Sequence, residues 1–158
     1  MKQTFKTGLC FGTTTGIITT LGLMVGVESG TKSVLAVIGA VLTIAIADAF
    51  SDTLGMHISQ ESEAKKSRKQ VWESTLSTFI SKIFIGFTFI VPVLLFDLQT
   101  AIILSISWAV ILLSALNFYM AKEKGVNPWP VITQHVGIAL IVVVITHFIG
   151  EWISLTFV

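Results

Sequence analysis

Charged residues are scarce in this chain, and their scarcity excludes most soluble folds. Only 12% of the 158 residues are Asp, Glu, Lys or Arg, whereas 53% are hydrophobic and the mean hydropathy is +0.87. Soluble domains carry about 25% charged residues, so this is the composition of a membrane protein. The basic residues form no nucleic-acid-binding patch, and nucleic acid is therefore not an expected partner.

Cysteine is equally scarce. The single Cys10 rules out an intramolecular disulfide, and in its apolar surroundings it is either an inert packing residue or a metal ligand. The sequence also has no glycine-rich phosphate loop, no Cys/His zinc cluster and no nucleophile elbow. We therefore do not expect an enzyme, and we expect no bound cofactor.

Long apolar stretches dominate what is present. A membrane-spanning helix needs about 20 apolar residues, and five stretches satisfy this. They predict an all-α integral membrane protein, multi-pass in the cell membrane, in which residues 1–158 form a single domain. The predicted spans are residues 8–27, 33–58, 76–96, 100–120 and 131–157. Residues 28–30 are expected to form an external turn. Residues 60–74 are expected to be a short charged cytoplasmic connector, helical from 61 to 73.

The basic residues predict the orientation. If five spans alternate, Lys32 falls on one side of the membrane, Lys82 lies within a span, and the remaining loop lysines and arginine share the other side. The positive-inside rule then places the N-terminus in the cytoplasm and the C-terminus outside. The start of the chain resembles a signal peptide but has no clear cleavage site, so we expect it to remain as the first helix. The residues on the basic side are Lys2, Lys6, Lys65, Lys66, Arg68, Lys69, Lys122 and Lys124.

The second span carries the most informative pattern. Asp48, Asp52 and Met56 are spaced i, i+4, i+8 and therefore share one stripe of a helix. Each aspartate at the bilayer centre costs about 2.5–3.5 kcal/mol, which the apolar residues of the segment barely offset. The stripe must face protein or water, and such carboxylates are typical of ion or proton pathways.

Five further ionisable residues each allow two interpretations. Lys82 either extends to the nearby cytoplasmic boundary or pairs with a carboxylate of the second span. Glu61 and Glu63 either extend the carboxylate stripe, with Glu61 as a metal ligand, or lie on a solvated surface. His147 and Glu151, one turn apart, are suited to a proton relay or a shared metal, or to a hydrogen-bonded pair at the headgroups.

Small residues in the first span predict close helix packing, either within the bundle or across a dimer axis. We therefore predict a homodimer. The threonines of the same span either line the pathway or donate to backbone carbonyls. The packing glycines are Gly8, Gly12, Gly16, Gly22 and Gly26, and the expected pathway-lining residues are Thr15, Thr19, Ser51, His57 and Glu63.

Four of the predicted spans carry motifs that occur together in one known family. The first has the run from Thr15 to Val27, the third has Pro92, and the fifth follows Asn127-Pro128-Trp129 and contains Gly137 and Gly150. The second has Ala47, Asp48, Ser51, Gly55 and Ser59 in the register of the family pattern. In these motifs the chain resembles the vacuolar iron transporter family.

The resemblance implies five membrane-spanning helices, a homodimer with a central pathway, and export of ferrous or similar divalent ions from the cytosol in exchange for protons. Three positions depart from the family. Its first-span aspartate is Thr15 here, its second-span methionine is Asp52, and its following acid is Met56. Its cytoplasmic metal-binding domain is missing, because residues 60–74 are too few to form it.

From these patterns we expect a dimeric transporter of divalent cations such as Fe²⁺ and Mn²⁺. Carboxylates suit such ions and a thioether adds preference for softer ones. Burial favours the neutral carboxyl group and a bound dication favours the ionised one, so metal entry would release protons. A non-transporting scaffold or metal sensor with the same fold remains an alternative, as does transport of another cation or of protons alone.

Overall fold

The computed structural model describes residues 3–157, and within that range all regular elements are helices. Five segments are long and apolar enough to cross a membrane, when the consecutive helices α3 and α4 are taken as one segment, Arg68–Leu95. The predicted all-α class is therefore confirmed, as is the presence of five helical segments long and apolar enough to be spans. Lys2, one of the residues used to predict orientation, lies outside the described range. The helices are α1 (Gln3–Thr31), α2 (Val34–Glu61), α3 (Arg68–Thr88), α4 (Ile90–Leu95), α5 (Leu98–Glu123) and α6 (Pro128–Phe157).

The third predicted span is two helices rather than one. α3 ends at Thr88, and the backbone N–H of Phe89 donates to Gly86 O at 3.2 Å, an i→i−3 bond that tightens the last turn. Pro92 has no N–H to donate to Thr88 O, and its ring crowds that carbonyl. The ladder of α-helical bonds is thus broken four residues before the proline.

The predicted helical connector is also interrupted. α2 ends at Glu61 and α3 begins at Arg68, so residues 62–67 form turns rather than helix. Ser67 caps α3 through a reciprocal capping box with Gln70, which gives α3 an independent start. The expectation that residues 61–73 continue α2 as one helix was therefore wrong.

The helices extend beyond the apolar stretches that predicted them. Residues 28–30, expected to be a turn, belong to α1, and the chain turns instead at Lys32, whose φ is +52°. Ser29 explains the extension: its Oγ donates to His147 O of α6 at 2.9 Å, which holds the last turn of α1 against a neighbour.

α1 lies at the centre of the bundle and packs against α2, α3, α5 and α6. Of the residues in an apolar 18-residue stretch of α1, 44% are buried, whereas in the equivalent stretch of α6 only 11% are buried. The core lies around α1 and includes Ile17, Met24, Val37, Phe89 and Leu113. α6 therefore leaves most of its apolar surface for lipid.

The glycines of α1 are used inside the subunit. A Cβ on Gly12 would lie 2.4 Å from Thr78 O of α3, and a Cβ on Gly8 would lie 2.1 Å from Ser74 O. Further along, a Cβ on Gly150 of α6 would lie 2.2 Å from Gly26 O. Because this ladder is covered by α3 and α6, it gives no support to the predicted dimer.

Candidate functional site

Three helices bring one lysine, two aspartates and a threonine together. Lys82 Nζ of α3 lies 2.7 Å from Asp48 Oδ2 of α2, and it donates hydrogen bonds to Asp52 Oδ2 and, at 3.2 Å, to Thr15 Oγ1 of α1. We call these four residues the Lys82 cluster. Lys82 is only 2% exposed, so it pairs with the second span rather than extending to the membrane surface.

Small residues allow the three helices to approach at this level. Gly16 leaves room for the Lys82 stem, because a Cβ there would lie 3.3 Å from Lys82 Cγ. On the other side, a Cβ on Gly86 of α3 would lie 2.8 Å from the Cβ of Ala45. The geometry of the cluster is thus set by the close approach of α3 to α1 at Gly16 and to α2 at Gly86.

Thr15 is oriented by its own helix. Its hydroxyl donates to Phe11 O at 3.0 Å, so its oxygen is free to accept from Lys82. The corresponding hydroxyl of Thr19 donates to the backbone Thr15 O at 2.8 Å, and no bond from it to a charged residue of the cluster occurs in the described chain. Both threonines therefore bond to backbone carbonyls, and Thr15 alone of the two also contacts Lys82.

With both aspartates and the lysine ionised, the Lys82 cluster has an excess of one negative charge, since one ammonium faces two carboxylates. The aspartate side chains are partly covered, with exposed fractions of 19% for Asp48 and 22% for Asp52. The contact to Asp48 is a close ion pair without the angle of an aligned hydrogen bond. An excess carboxylate at this depth is costly in lipid, so the cluster is chemically suited to take up a cation.

Met56 lies one turn beyond Asp52 and is buried, with 7% of its surface exposed. Within residues 3–157, no group of three or more His, Cys, Asp or Glu side chains is arranged to hold a metal ion. One subunit thus offers the two carboxylates of the cluster and a nearby thioether. A divalent ion, which prefers about six ligands, would need further donors.

Three residues that were expected to bind the metal or to line the pathway lie apart from the Lys82 cluster. The Glu61 side chain is 72% exposed, and Glu63 accepts from Lys66 at 2.8 Å within the connector. His57 Nδ1 lies 3.0 Å from Thr75 Oγ1, and its ring packs edge-on against Trp72. In the described range none of the three expected residues bonds to the Lys82 cluster. Their positions match the solvated-surface alternative for the glutamates.

The structure does not bring together two further sets of residues predicted from the sequence. Ser51 is exposed on the outer face of α2, away from its neighbour Asp52, which faces α3. His147 and Glu151 both occupy exposed positions of α6, and no hydrogen bond or ion pair between their side chains occurs in the described chain. Spacing placed these two on one helix face, but that face is uncovered, and nothing holds the side chains together.

Sequence reasoning missed two polar pairs, each with one buried member. Asn117 of α5 is 2% exposed, and its Oδ1 lies 2.5 Å from His135 Nδ1 of α6. Glu28 is 7% exposed and accepts from Lys32 at 3.0 Å. A carboxamide inside an apolar span is a signal that could have identified the first pair, since such a group needs a partner in lipid.

Comparison with protein families, with curated proteins and with solved structures finds no match to this chain. The resemblance to vacuolar iron transporters therefore rests on the sequence pattern described above.

Proposed function

We propose that this chain is a membrane transporter that exports divalent metal ions, of the Fe²⁺ or Mn²⁺ type, from the cytosol, with the Lys82 cluster as its ion-binding site. The observation that supports this is the cluster itself. Asp48 and Asp52 lie in a span, and Lys82 Nζ contacts both of them. The two carboxylates already bind one cationic group, the Lys82 ammonium, and their second negative charge is available to bind another cation. A bundle without an ionic substrate would gain nothing from the excess carboxylate.

Carboxylate oxygens favour hard and borderline cations, and the thioether of Met56 next to them favours the softer members of that group. Exchange for protons is part of the proposal through the family resemblance. It is also consistent with the chemistry of the ligands, because a carboxyl group that binds a dication must give up its proton.

The proposed orientation has the N-terminus in the cytoplasm and the C-terminus outside. An ion pair between Lys6 and Glu123 joins the start of α1 to the end of α5, so both lie at the same end as the basic connector. Lys32 lies at the turn between α1 and α2, at the opposite end. This asymmetry supports cytoplasmic placement of the basic end.

The proposed assembly is a homodimer formed through α2. Small residues recur on it at four-residue steps, all at exposed positions, and we call them the α2 ridge. A Cβ on Gly39 or Gly55 would meet nothing within 4 Å. Such ridges let two membrane helices approach closely. Asp48 and Asp52 face α3 rather than the partner, but each directly follows a ridge residue in the sequence, so pairing would place the Lys82 clusters of two subunits beside one interface. The ridge comprises Gly39, Thr43, Ala47, Ser51, Gly55 and Ser59.

Ion flux into liposomes tests the function directly. Purified protein is reconstituted and exposed to Fe²⁺, Mn²⁺, other divalent ions and Na⁺, with and without a pH gradient. We expect flux of divalent ions, and we expect Asp48→Asn and Asp52→Asn each to reduce it strongly. Each single variant leaves Lys82 one carboxylate partner, so folding should be retained.

Asp97→Asn is the matched control, because it makes the same chemical change at a turn between spans. Asp97 caps α5 by accepting from the backbone N–H of Thr100, and asparagine caps helices equally well. Its flux should equal that of the wild type. Wild-type flux in both Asp48→Asn and Asp52→Asn would remove the Lys82 cluster from the transport pathway.

A second candidate, a non-transporting scaffold, is favoured by one observation. Lys82 contacts both carboxylates and offsets one of their two charges within the subunit, as a purely structural ion pair would. In that case the wild type would carry no ion of the panel. The Asp48→Asn/Asp52→Asn double variant would then lower folded yield, because it leaves a buried ammonium unpaired.

A further inference from the structure

Lys82 occupies the place where a cation would bind. Its ammonium contacts one oxygen of Asp48 and one of Asp52, and it is almost completely buried. An ion that uses both carboxylates must therefore either displace the ammonium or bind the remaining carboxylate oxygens close beside it. The second arrangement would place two cations a few ångströms apart, where their repulsion is strong.

The lysine is attached in a way that permits displacement. Its ammonium stands on a flexible four-carbon stem with rotatable bonds, so it can leave the carboxylates without movement of the backbone. The stem passes over Gly16, whose missing Cβ leaves the space next to Lys82 Cγ. Thr15 Oγ1 provides a neutral contact for the ammonium that is independent of both carboxylates.

We propose that Lys82 is a tethered competitor for the transported ion, and that its charge sets the affinity and the valence preference of the site. This inference rests on the proposed transport function. A monovalent ion that replaces the ammonium exchanges one positive charge for another and gains little. A divalent ion brings twice the charge and can displace it. After the divalent ion leaves, the ammonium returns to the carboxylates and offsets part of their charge, which favours release.

Binding of Mn²⁺ to the purified full-length protein, measured by isothermal titration calorimetry, tests the inference. Lys82→Leu removes the charge and introduces no metal-ligating atom, and we expect it to lower the Kd for Mn²⁺ by about tenfold or more, since a full opposing charge is lost. Na⁺ should then compete with Mn²⁺, which it should not do in the wild type. Lys82→Arg keeps the charge and should not tighten binding.

A charge-matched pair keeps the inference testable if Lys82→Leu does not fold. Asp48→Asn leaves Lys82 paired with Asp52 alone. Asp48→Asn/Lys82→Leu restores the charge balance of the wild type and frees Asp52. We expect the double variant to bind Mn²⁺ about tenfold more tightly than Asp48→Asn, although it has no additional ligand.

The outcomes separate the two proposals. If the wild type carries Mn²⁺ in liposomes but removal of the Lys82 charge leaves the Kd unchanged in both comparisons, Lys82 is a structural partner and the competitor inference fails alone. If the wild type carries no divalent ion and no variant binds Mn²⁺, the transport proposal fails and the inference falls with it.

Discussion

The glycine ladder of α1 and the α2 ridge have nearly the same sequence pattern and opposite environments. The α2 ridge repeats small residues at four-residue steps throughout, and the α1 glycines do so from Gly8 to Gly16 and again from Gly22 to Gly26. On α1, the Cβ position of Gly12 is 2.3 Å from Ser81 Oγ and leaves no free space, whereas on α2 the Cβ position of Gly55 is open. The spacing thus identifies a helix surface to which another helix can pack closely. Which helix packs there, if any within the subunit, depends on how the rest of the chain folds.

The largest contrast is expected from adding one methyl group to each surface. Gly12→Ala should destabilise the subunit, because the new Cβ would overlap Thr78 O and force α1 away from α3. Overpacking of this kind costs about 1–3 kcal/mol, or on the order of 5 °C in the unfolding midpoint. Gly55→Ala should leave the midpoint unchanged or raise it slightly, because alanine favours helix over glycine.

Thermal unfolding of both variants in the same detergent, followed by circular dichroism and by size-exclusion chromatography, measures the contrast. Equal midpoints for the two variants would show that α1 and α3 do not pack as closely as the structure has them.

A larger side chain on the ridge should affect assembly rather than folding. Ala47→Leu adds bulk at an exposed position of α2, so the subunit should keep its wild-type unfolding midpoint. If two subunits meet through the α2 ridge, the variant should shift the population from dimer to monomer, because the helices can no longer approach. Native mass spectrometry in mild detergent and in nanodiscs measures the shift.

The matched control for Ala47→Leu is Ile46→Leu, which changes a neighbouring exposed residue without adding volume. It should leave the dimer intact. A wild-type protein that is monomeric in both media would contradict the proposed assembly altogether, and a dimer insensitive to Ala47→Leu would place the interface on another helix.

The smallest effect is expected where neither surface is involved. Asp97 lies in the turn before α5, and the backbone N–H of Thr100 holds the pKa of its carboxyl group below the usual value of 3.8. A lowered folded-state pKa adds stability above the unfolded value, and that stability is lost as the pH falls through the folded one.

Asp97→Ala should therefore lower the unfolding midpoint slightly at neutral pH, and the difference from the wild type should shrink below about pH 4. Paired melts across that range measure it. A difference that stays constant with pH would show that the carboxylate charge does not contribute to the cap.

Part of the candidate site could be predicted from local sequence spacing, and part of it depends on which helices meet. The i, i+4 spacing put Asp48 and Asp52 on one side of α2, and their cost in lipid required protein or water on that side. Pairing of Lys82 with these aspartates was one of two predicted arrangements, because a lysine near a membrane boundary can also extend to the headgroups. Two features of the site depend on contacts between distant parts of the chain, which a single sequence does not specify. They are the hydrogen bond from Lys82 to Thr15 and the close approach of Gly86 to Ala45.

The sequence by itself determined the helical class and the five spans, because hydrophobic length and backbone hydrogen bonding in lipid depend only on local composition. It also determined that Asp48 and Asp52 share a face, because helix periodicity is local. Only the tertiary structure decided that the α1 ladder is covered within the subunit, that α2 keeps its ridge exposed and that Lys82 lies between the two carboxylates. Each of these depends on which helices meet, and many packings of five apolar helices are compatible with the same local pattern.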